Sequence, residues 1–240
     1  MTISNNALAR ISCVLPVYNG SLYIGEALES IFSQSHPVDE VVVVDDGSTD
    51  ALDEALALYR ARITVLRQEN AGPAAARNRG VARATGDLLA FLDSDDVWHP
   101  DKMRRQWSRF EARPELQLSL CMQRPFWIPE MSEERDRLIA EDHPFAKDHE
   151  GHVCQAMLMP RSTFEKVGTF NESLRIGEDT DWLLRSRQLG IETEMLEEVL
   201  FYRRLHRSNL SNARPEEAAS GRIDFLMEHL KRKRQLAATT

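Results

Sequence analysis

Two aspartates separated by a single residue, Asp93 and Asp95, follow directly after the apolar run 88–92. Two carboxylates this close repel one another, and the repulsion raises the pKa of one of them unless a positive charge compensates. Mg²⁺ and Mn²⁺ are hard cations that bind one or two carboxylates together with the phosphates of a substrate. The spacing therefore favours a divalent-cation site, and the alternative is a solvated acidic turn that caps the next helix.

A second acidic pair, Asp45 and Asp46, follows a run of four valines. One carboxylate of such a pair can accept a hydrogen bond from the imide N–H of a pyrimidine base, while the other fixes the loop. Pro16 and Val17 end an earlier apolar run and Tyr18 follows, so the backbone there could meet the base beside the ring. The alternatives are that the aspartates only cap turns, which we favour for Asp45, and that Tyr18 is a core aromatic.

A predicted helix start and an arginine indicate an anion site. Gly72 precedes Pro73, a residue typical of a first helical turn, and Arg77 lies one turn further on. Backbone N–H groups at a helix N-terminus and a guanidinium both suit a diphosphate or a base edge. The alternative is that Arg77 only pairs with nearby acids.

The adjacent carboxylates of Glu178 and Asp179 are the candidates for acid–base chemistry, because a carboxylate can take the proton from an attacking hydroxyl. Both follow Gly177 at the predicted start of a helix. The helix dipole alone favours acids there. A helix-start position and a catalytic role are compatible, so the sequence leaves both open.

These residues have to be positioned by the elements between them. The first hundred residues alternate predicted strands and helices, at 11–17, 22–34, 41–44, 51–60, 63–66, 74–84 and 88–92, with Ser48 or Asp50 as the cap of helix 51–60. This order predicts an α/β fold: a single Rossmann-like domain with a mainly parallel central sheet flanked by helices. Ligands of such sheets bind at the carboxyl ends of the strands, where the acids lie.

The second half is less regular. Helices are predicted at 101–112, 179–189 and 216–236, and strands at 116–122, 153–159 and 195–202. The charged segment 130–150 is expected to be a loop with one short helix.

Charge and composition exclude several function classes. The chain of 240 residues has a net charge of −8, and its first hundred residues hold 14 acids, seven arginines and no lysine. A nucleic-acid groove needs clustered Lys and Arg, and a Walker-type phosphate loop needs its lysine, so neither fits this half. Three distant cysteines, no signal-peptide pattern and no apolar run of about 20 residues predict a cytoplasmic protein with reduced thiols.

Taken in order, these segments resemble the family-2 glycosyltransferases of the GT-A fold. The resemblance covers about residues 11–206 and rests on Pro16-Val17-Tyr18-Asn19, Asp45–Asp50, Asn70–Gly72, Ala76–Gly80, Gly86-Asp87, Phe91–Asp96 and Gly177–Trp182. It implies an inverting hexosyltransferase that moves one sugar from a nucleotide-sugar donor, with UDP-sugar favoured, to a hydroxyl acceptor. It also implies a divalent cation, Mn²⁺ or Mg²⁺.

The resemblance implies a role for each candidate residue. Asp95 and His206 would be metal ligands, Asp179 would be the general base, and Glu178 and Trp182 would contact the acceptor. The nucleotide site would be formed by Pro16, Val17, Tyr18, Asp46, Gly72, Arg77, Asp93, Ser94 and Asp95. The alternatives are a core role for Trp182 and a surface position for His206.

The implied organisation is a nucleotide-sugar-binding half at 1–97, an acceptor-binding half at 98–205, and a C-terminal lid and helix at 206–240. The acceptor would be a glycan, free or lipid-linked, in cell-surface polysaccharide or glycan synthesis. The Gln-x-x-Arg-Trp motif and long membrane helices of processive members are missing, which predicts transfer of single sugars. The basic run 231–234 could contact anionic lipid at the inner face of the membrane, or could simply complement the dipole of its helix.

Two other functions remain alternatives. A nucleotidyltransferase would need lysines around a phosphate-bearing sugar, and the first 101 residues have none. A non-catalytic nucleotide-sugar-binding protein would leave Asp179 without a chemical role.

Overall fold

The computed structural model describes residues 9–143 and 146–209. Its strands are β1 (Ile11–Val17), β2 (Glu40–Asp45), β3 (Thr64–Arg67), β4 (Leu88–Phe91), β5 (Val97–Trp98), β6 (Leu118–Trp127), β7 (His149–Glu150), β8 (Leu158–Pro160) and β9 (Thr193–Leu205). Its helices are α1 (Ile24–Phe32), α2 (Leu52–Leu56), α3 (Pro73–Arg83), α4 (Lys102–Ala112), α5 (Ser132–Ala140), α6 (Arg161–Val167) and α7 (Glu178–Gln188). Short 3₁₀ turns lie at Ala57–Tyr59, Pro129–Met131 and Cys154–Ala156.

The strands form one mixed sheet in the order β3-β2-β1-β4-β8-β6-β9-β5, with β7 joined to β6. β3, β2, β1 and β4 are parallel, and so are β6 and β9, while β8, β7 and β5 pair antiparallel. Most paired residues therefore lie in parallel pairings, and the predicted α/β fold with a mainly parallel sheet is confirmed. The sheet continues beyond residue 97, so both predicted halves belong to a single α/β domain.

The parallel half of the sheet is buried on both faces. Every residue of β1 is buried, and so is the four-valine run of β2. An uninterrupted apolar strand is typical of a sheet covered by helices on both sides. One of those helices, α3, approaches unusually closely at Gly80, where an added Cβ would lie 2.3 Å from Cγ1 of Val14. This close contact fixes the height of α3, and with it Arg77, above the strand ends.

The predicted cap of the second helix is wrong. α2 begins after Ala51, and no side chain caps it. The hydroxyl of Ser48 instead accepts from the N–H of Asn19, and Asp50 accepts from the N–H of Ser21. Both side chains therefore connect the loop after β2 to the loop after β1.

The predicted strand at 153–159 is also corrected. Its first part is the 3₁₀ turn Cys154–Ala156, and only Leu158–Pro160 pairs as a strand. The short helix expected within 130–150 is confirmed as α5. The helix predicted at 216–236 and its basic run lie outside the described residues. Within the ranges that the structure describes, no helix is both long enough and apolar enough to cross a lipid bilayer.

The three cysteines are free and buried, as the sequence predicts. Burial raises the pKa of the Cys13 thiol, and it raises the pKa of Cys121 to about 11. Both thiols therefore stay protonated at neutral pH.

The tight contact at Gly80 makes a prediction about stability. We expect Gly80→Ala to lower the free energy of unfolding by about 1–3 kcal/mol, because the new methyl group overpacks the interface with Val14. Urea denaturation measures the change. Gly25→Ala is the matched control, since its Cβ would meet only the Tyr59 hydroxyl at 3.5 Å. That variant should keep or slightly raise stability, and equal losses in both variants would contradict the packing argument.

Candidate active site

Three carboxylates gather at the carboxyl end of β4. Asp93, Asp95 and Asp96 each offer an oxygen atom, and these atoms all lie within 4.8 Å of one another. Asp96 is buried, and its burial together with the charges of Asp95 and Asp93 raises its pKa well above the usual range. Such a cluster binds a positive charge favourably.

His206 lies against this cluster. Its Nε2 is 2.8 Å from Oδ2 of Asp95, and its Nδ1 is 2.8 Å from the hydroxyl of Ser208. Asn209 also donates to Oδ2 of Asp95, at 3.1 Å. His206 is buried, so the alternative of a surface histidine is wrong. The structure thus brings together the two residues predicted as metal ligands.

The donor set fits a hard divalent cation. Oδ2 of Asp95 is engaged by His206 and Asn209, whereas Oδ1 of Asp95 accepts no hydrogen bond from any residue of the described ranges. Carboxylate oxygens with a nearby imidazole are ligands that Mn²⁺ and Mg²⁺ accept. Asp95 and His206 could therefore hold such a cation, with open positions left for phosphate oxygens.

Arg77 joins the acidic cluster to the start of α7. Its Nη2 donates to Oδ1 of Asp93 at 2.6 Å, and its Nη1 donates to Oε1 of Glu178 at 2.5 Å. The guanidinium is buried, and Nε–H finds no acceptor among the residues described. Burial alone would lower the pKa of Arg77, but the carboxylates of Asp93 and Glu178 raise it further. The prediction that Arg77 binds a diphosphate stays untested, and its pairing with acids is observed.

The start of α7 carries the two candidate acid–base residues. Gly177 has φ +87°, a left-handed conformation that glycine adopts without strain, and it turns the chain into the helix. Burial raises the pKa of Glu178 to about 7, against the opposing effect of Arg77. Desolvation also raises the pKa of Asp179, whose Oδ1 accepts from the N–H of Thr180 at 2.7 Å. Carboxyl groups that titrate near neutral pH suit general acid–base catalysis.

Asp46 is engaged with its own loop. Oδ1 accepts from Nε2 of Gln68 at 2.7 Å and from the N–H of Ala71 at 2.9 Å, and Oδ2 accepts from the N–H of Gly72 at 2.8 Å. Asp46 therefore shapes the loop that leads into α3. Its predicted contact with a base would have to use the remaining lone pair. The neighbouring Asp45 caps a turn through the N–H of Ser48, as its interpretation required.

The end of β1 forms the next part of the crevice. Pro16 and Val17 lie buried in the strand, and the carbonyl of Val17 accepts from the N–H of Asp46 at 2.8 Å. Tyr18 is 53% exposed, so the alternative of a core aromatic is wrong. Ser94 packs against the loop that follows, since a Cβ on Gly20 would lie 2.7 Å from its hydroxyl. The predicted nucleotide residues of β1 and β4 are thus adjacent.

Trp182 belongs to the core, and its predicted acceptor contact is wrong. Its side chain is fully buried against Phe164 and Phe170, with ring centroids about 6 Å apart. The indole N–H donates to the carbonyl of Gly168 at 2.8 Å. The inward face of α7 therefore anchors the helix and leaves no surface of this ring for a sugar.

Sequence reasoning missed two residues that hold the acidic cluster. Nε2 of Gln155 donates to Oδ2 of Asp93 at 2.5 Å and to Oδ2 of Asp96 at 3.1 Å. The N–H of Arg204 donates to Oδ1 of Asp96 at 2.9 Å. Gln155 stands alone as a polar residue in the apolar run 153–159, a signal that could have identified it. Arg204 had no comparable signal.

The raised pKa of Glu178 predicts a pH dependence of stability. Its pKa rises from 4.5 to about 7 in the folded protein, so folding favours the protonated form. This contribution to the free energy of unfolding is complete below about pH 4.5 and is lost as the pH rises to about 7. Glu178→Gln should therefore show a smaller fall in stability across this interval, measured by urea denaturation. Glu134→Gln on the exposed face of α5 is the control, and parallel curves for all three proteins would contradict the assignment.

Comparison with known proteins places this site in a family. The model of glycosyl transferase family 2 matches residues 12–166. An uncharacterized glycosyltransferase of Rickettsia prowazekii is 29% identical over 218 residues, which cover 84% of this chain and 66% of the relative. TuaG of Bacillus subtilis, whose name ascribes it to teichuronic acid biosynthesis, is 44% identical over 100 residues, or 40% of each chain. The matches span 16% to 66% of the length of the first curated relatives.

Solved structures show the same fold. TarS of S. aureus in complex with UDP is similar with a TM-score of 0.65 at 22% identity, over 82% of this chain and 61% of TarS. The mannosyltransferase PcManGT of Pyrobaculum calidifontis, in complex with GDP-Man and Mn²⁺, is similar with a TM-score of 0.70 at 21% identity, over 94% and 65% of the two chains. With its GT-A fold and a family model that matches more than half of its length, the chain belongs to glycosyl transferase family 2.

Proposed function

We propose that the protein is a metal-dependent, inverting hexosyltransferase that moves one sugar from a UDP-sugar to a hydroxyl group of a glycan. The observation that carries the proposal is the double contact of Arg77. One guanidinium binds Asp93 of the acidic cluster and Glu178 beside Asp179. The candidate cation site and the candidate general base therefore lie on opposite sides of a single side chain, as a transfer between two bound substrates requires.

The cation would be held by Asp95 and His206. When bound, a divalent cation stabilises the negative charge that develops on a diphosphate leaving group. The chain's own contribution is to fix Asp95 through the contacts of His206 and Asn209 with Oδ2. Mn²⁺ is present in the PcManGT complex, which supports a divalent cation here without choosing between Mn²⁺ and Mg²⁺.

The nucleotide would lie over the ends of β1, β2 and β4. The loop that begins α3 is preorganised there by Asp46, which engages the N–H groups of Ala71 and Gly72. Tyr18 is exposed beside this loop and is free to pack on a base. The UDP complex of TarS supports uridine as the base, and the GDP-Man complex of PcManGT keeps guanosine as the competing outcome.

Asp179 is the proposed general base. It takes the proton from the acceptor hydroxyl as that oxygen attacks the anomeric carbon from the face opposite the diphosphate, which inverts the configuration. Oε1 of Glu178 is held by Arg77, so Glu178 cannot swing toward the donor. Its second oxygen, Oε2, is then left to orient the acceptor.

The acceptor is proposed to be a cell-surface glycan, free or lipid-linked. Support comes from the relative TuaG, named for teichuronic acid biosynthesis. The cytoplasmic location and the membrane contact through 231–234 remain predictions, as does the division of the chain at residue 97.

The cation assignment is tested by binding alone. Isothermal titration with UDP, GDP and CDP should show tightest binding of UDP, and only when Mn²⁺ or Mg²⁺ is present. Asp95→Asn should weaken UDP binding at least about tenfold in Mn²⁺, because the ligand charge falls. Asp53→Asn, an exposed residue of α2, is the control and should bind as the native protein does. UDP affinity that survives both a chelator and Asp95→Asn would refute the metal site.

The base assignment is tested by transfer. Asp179→Asn should lower kcat by about 10²–10⁴-fold while UDP affinity in Mn²⁺ stays near the native value. The assay uses the UDP-sugar that the native protein turns over and follows UDP release with a glycan acceptor. Full activity of this variant would show that the protein uses another base, and absence of transfer by the native protein would favour a non-catalytic binding role.

A further inference from the structure

Gln155 reaches the acidic cluster from the turn that precedes β8. It lies in the 3₁₀ turn Cys154–Ala156 and is 8% exposed. Both of its hydrogen-bond partners, Asp93 and Asp96, are carboxylates. An ionised carboxylate only accepts hydrogen bonds, so the NH₂ group of the amide must face the cluster.

The turn is held in place from behind by buried polar side chains. Nε1 of Trp98 donates to the carbonyl of Gln155 at 3.3 Å, and Nε2 of Gln106 donates to the carbonyl of Ala156 at 2.8 Å. Lys102 in turn donates to Oε1 of Gln106 at 2.6 Å. Burying an amide and an ammonium is costly unless they are hydrogen-bonded, so these contacts define one backbone position for the turn.

As a result, the carboxylates of the cluster differ in what remains open to a ligand. Asp93 gives Oδ1 to Arg77 and Oδ2 to Gln155. Asp96 gives Oδ1 to the N–H of Arg204 and Oδ2 to Gln155. All four of these oxygens are engaged by protein donors, whereas Oδ1 of Asp95 has no donor among the described residues.

We propose that Gln155 is a positioning residue that keeps Asp93 and Asp96 bound to the protein and so restricts the cation to Asp95. The inference rests on the proposed function, because it concerns the cation of that reaction. An N–H donor and a cation compete for the same carboxylate oxygen. Without Gln155, two more carboxylates become available, and the cation is held more tightly but away from the place where the diphosphate binds.

The test is a titration with Mn²⁺ alone, followed by the electron paramagnetic resonance signal of the free ion. We expect Gln155→Met to bind Mn²⁺ about three- to tenfold more tightly than the native protein, because the count of available charged ligands rises. The same variant should bind UDP more weakly in saturating Mn²⁺. A residue that only maintained the fold would weaken both affinities or change neither.

Gln34→Met is the matched control. Gln34 is also buried, and its amide donates to the carbonyls of Ser30 and His99, with no carboxylate in contact. This variant should lose thermal stability and keep the native affinity for Mn²⁺. Unchanged or weaker Mn²⁺ binding by Gln155→Met overturns the inference and leaves the proposed function standing. A native protein that binds UDP without any cation overturns both.

A measurement on the native protein covers the case in which Gln155→Met does not fold. In a ¹⁵N-labelled sample, the side-chain amide protons of Gln155 should resonate downfield, as short hydrogen bonds to carboxylates require. On addition of Mg²⁺ and UDP they should stay there, because the amide keeps its carboxylates while Asp95 takes the cation. A shift to the position of a solvated amide would show that the cation displaces Gln155 and would overturn the inference.

Discussion

The buried guanidinium of Arg77 is the contact on which the rest of the site depends. It binds Asp93, 16 positions along the chain, and Glu178, 101 positions along it. An unpaired buried charge costs several kcal/mol, so the two carboxylates and the arginine require one another. The glycine that lets α3 lie close to β1 fixes the arginine from below. Donor side and acceptor side therefore share one charge, and neither can move independently of it.

The concentration of acids in the first hundred residues has its counterpart in the second half of the chain. The acidic loop after β4 receives its donors from Gln155, Arg204 and His206, all beyond residue 101. Arg204 also donates through Nε to the carbonyl of Asp95, and its guanidinium lies 4.6 Å from the ring centroid of Tyr23. The negative first half is thus stabilised by contacts across the sheet, with room for one further positive charge at Asp95.

Local pattern predicted the sheet better than it predicted the roles of side chains. The bounds of β1 were predicted at 11–17 and are found there, because an uninterrupted apolar run depends only on burial. Trp182 was misassigned because a motif gives spacing but not the face of the helix on which a residue lies. Gln155 was missed because its partners are about 60 positions away, and such pairings are fixed by topology. Asp46 was placed correctly at a strand end, but the donors of its own loop could not be foreseen.

The last segment of the described chain has a consequence for how the protein is made. Asn209 contacts Asp95 across 114 positions of sequence. Synthesis at about 5–20 residues per second separates the two by about 6–23 seconds. During that interval the acidic loop exists on the ribosome without Gln155, Arg204 or His206 for most of the time, although the parallel strands that carry it are already present. The nucleotide-side sheet can therefore form early in translation, whereas the cluster acquires its final geometry only when β9 and the residues after it have been added.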